Sequence, residues 1–566
     1  MPYIKKIFPI FLIFILFAIL IFESLSDTPT YDEPANIAAA YAYVYKNDYR
    51  LYPDNPPLVK LLAGLFLYPI KNQIDFPENN PSYKNPREFN LYTFGTEFLY
   101  QTGNDAGKII FLTRLPNILF TIGIGILLYF FAKKLYGENA GLLALFFYTL
   151  DPNIRGHGHI LAFDLPVAFF ILLGFYFTYL FYKNKKRRLV YGFLLNVAFA
   201  LGILTKFTFI FFAVALFLGM YLILAAFKRK TLSLKIVLTL QASIIIVSFS
   251  LLWLFGLSTG YNNRTFNYNE VPIIASANKT LTNNFTWNLF KNLPVPYFYK
   301  TGMQMMYAHN IKSQPAYLLG EVKARNDWFF YFPISFLLKT PIPTLILILL
   351  TLIILIKKFL RLNLKTYAPF VLGAFYFLCL MFFSHINNVY RYLFPSLILF
   401  ILGTSQIVNL VSKKYLTVII ILLSYLFLTS YFSFPYDLSY TNELTGIPTA
   451  GYKYLSDSEI DWGQDLGRLA KWLKNNNLNN QTITLSYLGT ADPEYYGIKY
   501  QPLRFEDLST LKGIVAISVG NLTLGDWQVK ASEGYKLGFI KTAPLDTLRN
   551  RQPTAVIGKS IFVYNF

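Results

Sequence analysis

Lys413-Lys414-Tyr415, then LTVIIILLSYLFLTSYFSF over residues 416–434, then Pro435-Tyr436-Asp437: this stretch decides the fold. A helix needs about 20 apolar residues to cross roughly 30 Å of hydrocarbon, because every backbone polar group must be satisfied within the segment. Residues 416–434 meet that need, with lysines anchoring one end and polar sequence following the other. Working outward, similar segments lie at Ile7–Phe22, Ile109–Phe131, Ala140–Leu150, Ile160–Tyr182, Leu189–Leu204, Thr208–Phe227, Ile236–Leu257, Leu337–Ile356, Ala368–Phe383 and Tyr392–Val411. With Leu416–Phe434 they predict about eleven transmembrane helices. Ala140–Leu150 is short alone and is expected to extend toward Tyr136 or Ile154.

Composition agrees. The chain is 54% hydrophobic and only 14% charged, too apolar for a string of soluble domains. A net charge of +21 would suit nucleic acid, but the basic residues stand in short runs between apolar segments, which excludes that class. The runs Lys5-Lys6, Lys133-Lys134, Lys183 with Lys185–Arg188, Lys228–Lys230 with Lys235, Lys357-Lys358 with Arg361 and Lys365, and Lys413-Lys414 occupy every second connection. Since Lys and Arg concentrate in cytoplasmic loops, the amino terminus is expected inside and the carboxyl terminus outside. Connections 23–108 and 258–336 are then extracytoplasmic. The alternation needs the first span, so it reads as an uncleaved helix rather than a signal peptide cut near Ser24-Leu25-Ser26. Cys379, the single cysteine, lies in an apolar run and has no intrachain partner.

From Tyr436 onward the apolar runs shorten. Leu466, Leu469, Trp472 and Leu473 recur at helical spacing within Gly463–Asn475, and Thr482–Leu488, Gly513–Val519 and Ser560–Tyr564 read as strands. The predicted organisation is a mainly α polytopic membrane domain over 1–435 and a small extracytoplasmic α/β domain over 436–566.

Several groups carry chemistry. Asp32 and Glu33 follow the first span closely, where a carboxylate suits a general base acting at the membrane surface; Asp32 also reads as the N-cap of a helix over Asn36–Tyr45. Asp54-Asn55-Pro56-Pro57 opens an amphipathic stretch, Leu58–Tyr68, expected along the membrane surface. The segment Asp151–His159 holds Arg155, His157 and His159, with Asp164 shortly after. A divalent metal on the two histidines and a carboxylate is one reading, and hydrogen bonding to a phosphate or helix end is the other. With no defined third ligand, no metal is assigned. Lys206 and Arg391 break the inside bias of the other basic runs, and with Arg155 they fall at one membrane face; they either snorkel or converge on an anionic head group. Asp457, Asp461 and Asp465, four residues apart, read either as one acidic face of a helix start that meets substrate or, the reading preferred, as a solvated, capping face. The glycosylation patterns at Asn263, Asn278, Asn284, Asn480 and Asn521 are treated as chance unless the source is a eukaryote or an archaeon.

Taken together, these residues resemble the GT-C membrane glycosyltransferases, in the branch similar to dolichyl-phosphate-mannose–protein mannosyltransferases and bacterial aminoarabinose transferases. The resemblance is carried by Asp32-Glu33 after the first helix, the run Asn55–Leu62, the Asp151–Asp164 segment, Leu201–Lys206 and Arg391-Tyr392. Tyr317–Glu321 and Leu337–Pro341 match more loosely, and Ser456–Leu466 with Gly489–Gly497 is similar to the outer domain of many prokaryotic members. The resemblance implies inverting transfer of a sugar from a polyprenyl-phosphate donor to an extracytoplasmic acceptor: protein, lipid or cell-surface glycan. Asp32 would be the base and Glu33 its neighbour in the site. Lys206 and Arg391 would face the donor phosphate, with Arg155, His157 and His159 nearby and Asp164 and Asn55 as further site candidates. Relatives often carry His where this chain has Asn55, so a metal or acceptor role resting on that His is lost or moved. The alternatives are a transporter or flippase for an anionic lipid, for which two related halves are missing, and a membrane scaffold. The Trp-Trp-Asp motif usual in oligosaccharyltransferases is absent, which argues against transfer of a preassembled glycan.

Overall fold

A computed structural model describes residues 2–49, 51–84, 90–226, 233–258, 279, 281, 288, 292–312, 315–323, 328–358, 364–386, 389–503, 511–532 and 543–566. The glycosylation patterns at Asn263, Asn278 and Asn284, the run Lys228–Lys230 and Arg361 lie outside them.

The chain is mostly helical. Among the described residues seven helices are long and apolar enough to cross a membrane, or eight if one bent pair counts as a span, which makes this an integral membrane protein. By length, then, the expected eleven are not reached among the described residues, although each of the eleven segments is mostly helical where it is described. Ala140–Leu150 and Leu189–Leu204 fall within the shorter helices Glu138–Leu150 and Arg188–Ile203. Leu337–Ile356 is broken into Tyr331–Lys339 and Ile342–Lys357, which meet at 114°. Pro341 explains the break, since it can donate no helical N–H and disfavours helical backbone at Thr340, which is extended; Pro343 falls in the first turn of the second helix, where a missing N–H is tolerated. Thr208–Phe227 yields only a shorter apolar helix over Phe209–Gly219, whereas Tyr392–Val411 is long enough to span as Tyr390–Leu410 despite its 3₁₀ first turn.

The main core lies among the helices Ala106–Tyr136, Glu138–Leu150, Asp164–Lys183 and Phe394–Thr404, where Leu128, Phe131, Phe147, Leu172 and Leu397 are buried against one another. A second core joins the connections after the first span. Helix Glu33–Tyr45 packs there against Leu58–Leu65 and Leu91–Tyr100 through Ala39, Ala63, Phe94 and Phe98. Gly95 permits this: a Cβ there would sit 2.5 Å from the Ala35 nitrogen, so any side chain would push away the first turn of Glu33–Tyr45.

Beyond the last span, β3 (Ile483–Ser486), β4 (Tyr500–Pro502), β5 (Ile514–Ser518), β6 (Ala555–Ile557) and β7 (Ile561–Asn565) form a sheet; β1 (Ala316–Leu318) and β2 (Glu321–Lys323) make a small separate hairpin. The five-stranded sheet has the order β4-β3-β5-β7-β6, parallel across β4, β3 and β5 and antiparallel at β5–β7 and β7–β6. Side chains alternate between its faces, as the pleat requires. Ala516, Ile561 and Val563 pack under Leu466, Leu469 and Leu473 of the helix Leu466–Asn475. Val515, Ile517, Phe562 and Tyr564 face the other way, into a core continuous with the membrane helices. The sheet is therefore docked on the bundle rather than tethered to it.

Candidate active site

Where the first and second cores meet the C-terminal part, a cleft of about 450 Å³ is lined by Asp32, Asp54, Asp164, Lys206, Arg391 and Trp462, among others. Each comes from an element end. Asp32 precedes Glu33–Tyr45, and Asp54 lies shortly before Leu58–Leu65. Asp164 begins Asp164–Lys183, Lys206 lies between Arg188–Ile203 and Phe209–Ala226, and Arg391 sits in the Tyr390–Leu393 turn. Helix ends are where unsatisfied backbone and a change of chain direction bring polar side chains to the edge of an apolar bundle.

Asp32 occupies the N-cap position of its helix but makes no side-chain cap bond. Its Oδ1 instead accepts hydrogen bonds from the hydroxyls of Tyr52 at 3.1 Å and Tyr92 at 3.4 Å. Burial raises its pKa; the Arg391 guanidinium and the two tyrosine bonds oppose the rise, and the Asp54 carboxylate adds to it. A raised carboxylate is a better base than an ordinary one. Asp54 lies 3.7 Å from the Lys60 ammonium, whose pKa burial lowers to about 8. Asn55, also on the cleft wall, donates its amide to Asp54 at 3.1 Å. In the same cleft, Lys206 is ion-paired to Asp164 Oδ1, and Arg391 Nε lies 3.3 Å from Asp164 Oδ2, so one carboxylate holds two cations side by side. The Lys206 ammonium stands 3.8 Å over the Tyr392 ring, and the Arg391 guanidinium 3.8 Å over Trp462.

The other residues predicted for the site lie off the cleft wall. Glu33 is fully buried in a bidentate pair with Arg114 and accepts N–H bonds from Thr30 at 2.8 Å and Leu161 at 2.9 Å. Burial alone would raise its pKa; Arg114 more than offsets that and holds it down. Arg155 points toward the end of the last span, pairing with Asp437 at 2.8 Å and donating to Ser430 Oγ at 2.5 Å. His157 shares a hydrogen bond with the Asn153 carbonyl at 3.0 Å and packs edge-on to Phe394; burial, with Lys339 and Arg391, lowers its pKa. His159 Nε2 meets Asp27 at 3.1 Å and its Nδ1 lies 3.4 Å from Glu23. Burial disfavours the His159 imidazolium, yet these carboxylates outweigh it and raise its pKa to about 9. The two histidines thus serve different partners, and among the described residues no group of three or more His, Cys, Asp or Glu is placed to hold a metal.

The expected acidic face also separates. Asp457 lines the cleft. Asp461 accepts from the Gly520 N–H at 3.0 Å, and Asp465 from Ser560 at 2.6 Å and Arg468 at 2.5 Å. Asn521 is buried and donates to Ser486 at 3.0 Å, so its pattern is part of the interior. Sequence reasoning missed Tyr52, Tyr92, Asp54 and Trp462 as cleft residues. Asp54 adjoins the quoted Asn55-Pro56-Pro57 run and Trp462 lies inside the quoted Ser456–Leu466 run, which were the available signals; the two tyrosines carry none.

The chain is similar to the GT-C membrane glycosyltransferases. Residues 104–253 match the family model described as dolichyl-phosphate-mannose-protein mannosyltransferase. Among solved structures, the Archaeoglobus fulgidus oligosaccharyltransferase in the apo form is 12% identical, with a TM-score of 0.47 and coverage of 88% of this chain and 60% of that one. This chain therefore spans about 60% of that protein's length. AglB from the same organism, in complex with an inhibitory peptide and a dolichol-phosphate, is 10% identical at a TM-score of 0.45, covering 98% and 76%. ArnT from Cupriavidus metallidurans bound to undecaprenyl phosphate is 10% identical at a TM-score of 0.35, covering 98% and 97%. Compared with curated proteins, the chain finds no match.

Proposed function

We propose that this protein is an inverting glycosyltransferase that moves a sugar from a polyprenyl-phosphate donor onto a hydroxyl of an extracytoplasmic acceptor in a protein, lipid or cell-surface glycan. The observation that carries the reading is one cleft lined both by a half-buried carboxylate with a raised pKa, Asp32, and by two cations, Lys206 and Arg391, that share one carboxylate. Asp32 takes the proton from the acceptor hydroxyl, the freed oxygen attacks the anomeric carbon, and the bond from that carbon to the phosphate oxygen breaks. The polyprenyl phosphate leaves with the bonding pair, and its charge is met by cations already in place. One direct displacement inverts the anomeric centre. Arg suits bidentate contact with phosphate and Lys serves as a point charge.

In this reading Asp32 is the catalytic base, Lys206 and Arg391 hold the phosphate, and Asp164 holds the two cations. Asn55, with Asp54, stands on the acceptor side. Glu33, Arg155, His157 and His159 are assigned to the supports of the site. The basic runs support an orientation with the amino terminus in the cytoplasm and residues 436–566 outside, since the connections that supply the cleft all fall on the same side in that map. A transporter would keep its charged groups near the bilayer midplane between related halves, whereas these stand at helix ends.

The test is to supply membranes containing the protein with a panel of polyprenyl-phosphate monosaccharides and an acceptor extract, and to follow release of polyprenyl phosphate. Release from one donor, absent from membranes lacking the protein, is expected. No release from any donor by correctly folded protein would overturn the reading.

A further inference from the structure

Trp462 belongs to the C-terminal part, yet it is buried at the cleft wall with its ring 3.8 Å beneath the Arg391 guanidinium. Arg391 is otherwise held through Nε by Asp164, and its buried Nη1 finds no hydrogen-bond partner among the described residues. A guanidinium donates in its own plane, so the surface beneath it sets where its N–H groups point. The backbone around Trp462 also grips the loop that leads into Asp32. Tyr31 N–H donates to the Trp462 carbonyl at 2.8 Å and Thr28 N–H to the Gln464 carbonyl at 3.0 Å. The Thr28 hydroxyl donates to the Gly463 carbonyl at 2.9 Å and accepts from Leu466 N–H at 3.2 Å. Thr490 closes the same loop by donating to the Tyr31 carbonyl at 2.7 Å.

We infer that Trp462 is a positioning residue of the transfer site: its ring fixes the Arg391 guanidinium for the donor phosphate, while the backbone it lies in fixes the loop that presents Asp32. This rests on the glycosyl-transfer reading. The C-terminal part then helps to build the reaction site rather than serving as an accessory, because one short segment reaches both Arg391 and the loop before Asp32.

Two Trp462 variants separate positioning from bulk. Trp462→Leu keeps an apolar side chain but removes the π face; Trp462→Phe keeps a ring. Full-length protein in detergent is titrated with undecaprenyl phosphate, and kcat and donor KM are measured separately. Trp462→Leu is expected to weaken undecaprenyl phosphate binding and raise donor KM about tenfold, and Trp462→Phe to restore most of both. Thr28→Val loosens the grip on the Asp32 loop and is expected to lower kcat about tenfold with binding unchanged. Equal binding by wild type and Trp462→Leu, or equal losses in the Leu and Phe variants, would overturn the positioning role alone. Wild-type binding no better than that of a Lys206→Ala/Arg391→Ala variant would remove the glycosyl-transfer reading and this inference with it.

Discussion

Arg114 forks onto Glu33 inside the protein, Nε to Oε1 at 2.8 Å and Nη2 to Oε2 at 2.7 Å, with both side chains fully buried. The same guanidinium donates to the carbonyls of Ser24 and Asp27, at 2.7 and 3.0 Å, so it ties the end of the first span to the helix that Asp32 precedes. Adjacent in sequence, Asp32 and Glu33 have opposite surroundings, one facing the cleft and one locked into the fold.

Removing either partner of the fork leaves a buried charge unpaired, which costs about 3–5 kcal/mol. Glu33→Gln and Arg114→Leu are each expected to lower the thermal unfolding temperature sharply in detergent. The double variant should be less damaged than the two losses added together, because no lone charge remains. Additive losses would show that the pair is not coupled.

His159 and Asp27 predict a window of stability. The His159 pKa is raised to about 9 in the folded protein, so its contribution is complete below the ordinary histidine range near 6.5 and is lost as pH rises through about 9. At Asp27 burial opposes ionisation, but Arg468 and His159 prevail and depress its pKa, so its contribution is lost as pH falls through the carboxylate range. Unfolding temperature should therefore decline on both sides of neutrality, and His159→Gln should flatten the alkaline decline. An unaltered alkaline decline in that variant would count against the assignment.

The acidic limb of the rate profile reports the base. Because burial raises Asp32 while the Tyr52 hydroxyl lowers it, Tyr52→Phe should move the acidic limb of kcat/KM to higher pH. Asp54→Asn removes a neighbouring negative charge and should move it to lower pH. Shifts of the opposite signs would place the ionising group elsewhere.

What could be read in the sequence was local. The helical segments and three of the C-terminal strands follow from periodicity and residue type. Asp32, Asp164, Lys206 and Arg391 were legible as polar residues at span ends on one side and Asn55 through the family resemblance, and the structure gathers them around one cleft. The partners of the remaining residues were not legible, because they come from far along the chain: Arg155 meets Asp437, His159 meets Asp27, and Lys339 donates to the Leu438 carbonyl at 3.0 Å. Nothing in a stretch such as Arg155–His159 shows that its charge is already matched within the fold. Among the described residues fewer than eleven helices reach spanning length, for a related reason: hydropathy registers apolar content, whereas the proline corner after Lys339 depends on backbone geometry.

The most direct test of the account is turnover by purified wild type and Asp32→Asn with the donor that the panel identifies, alongside binding of undecaprenyl phosphate to both. The account predicts that Asp32→Asn binds the lipid phosphate as wild type does but releases none from the donor, because the cations remain and the base is gone. Release by Asp32→Asn at the wild-type rate would contradict it.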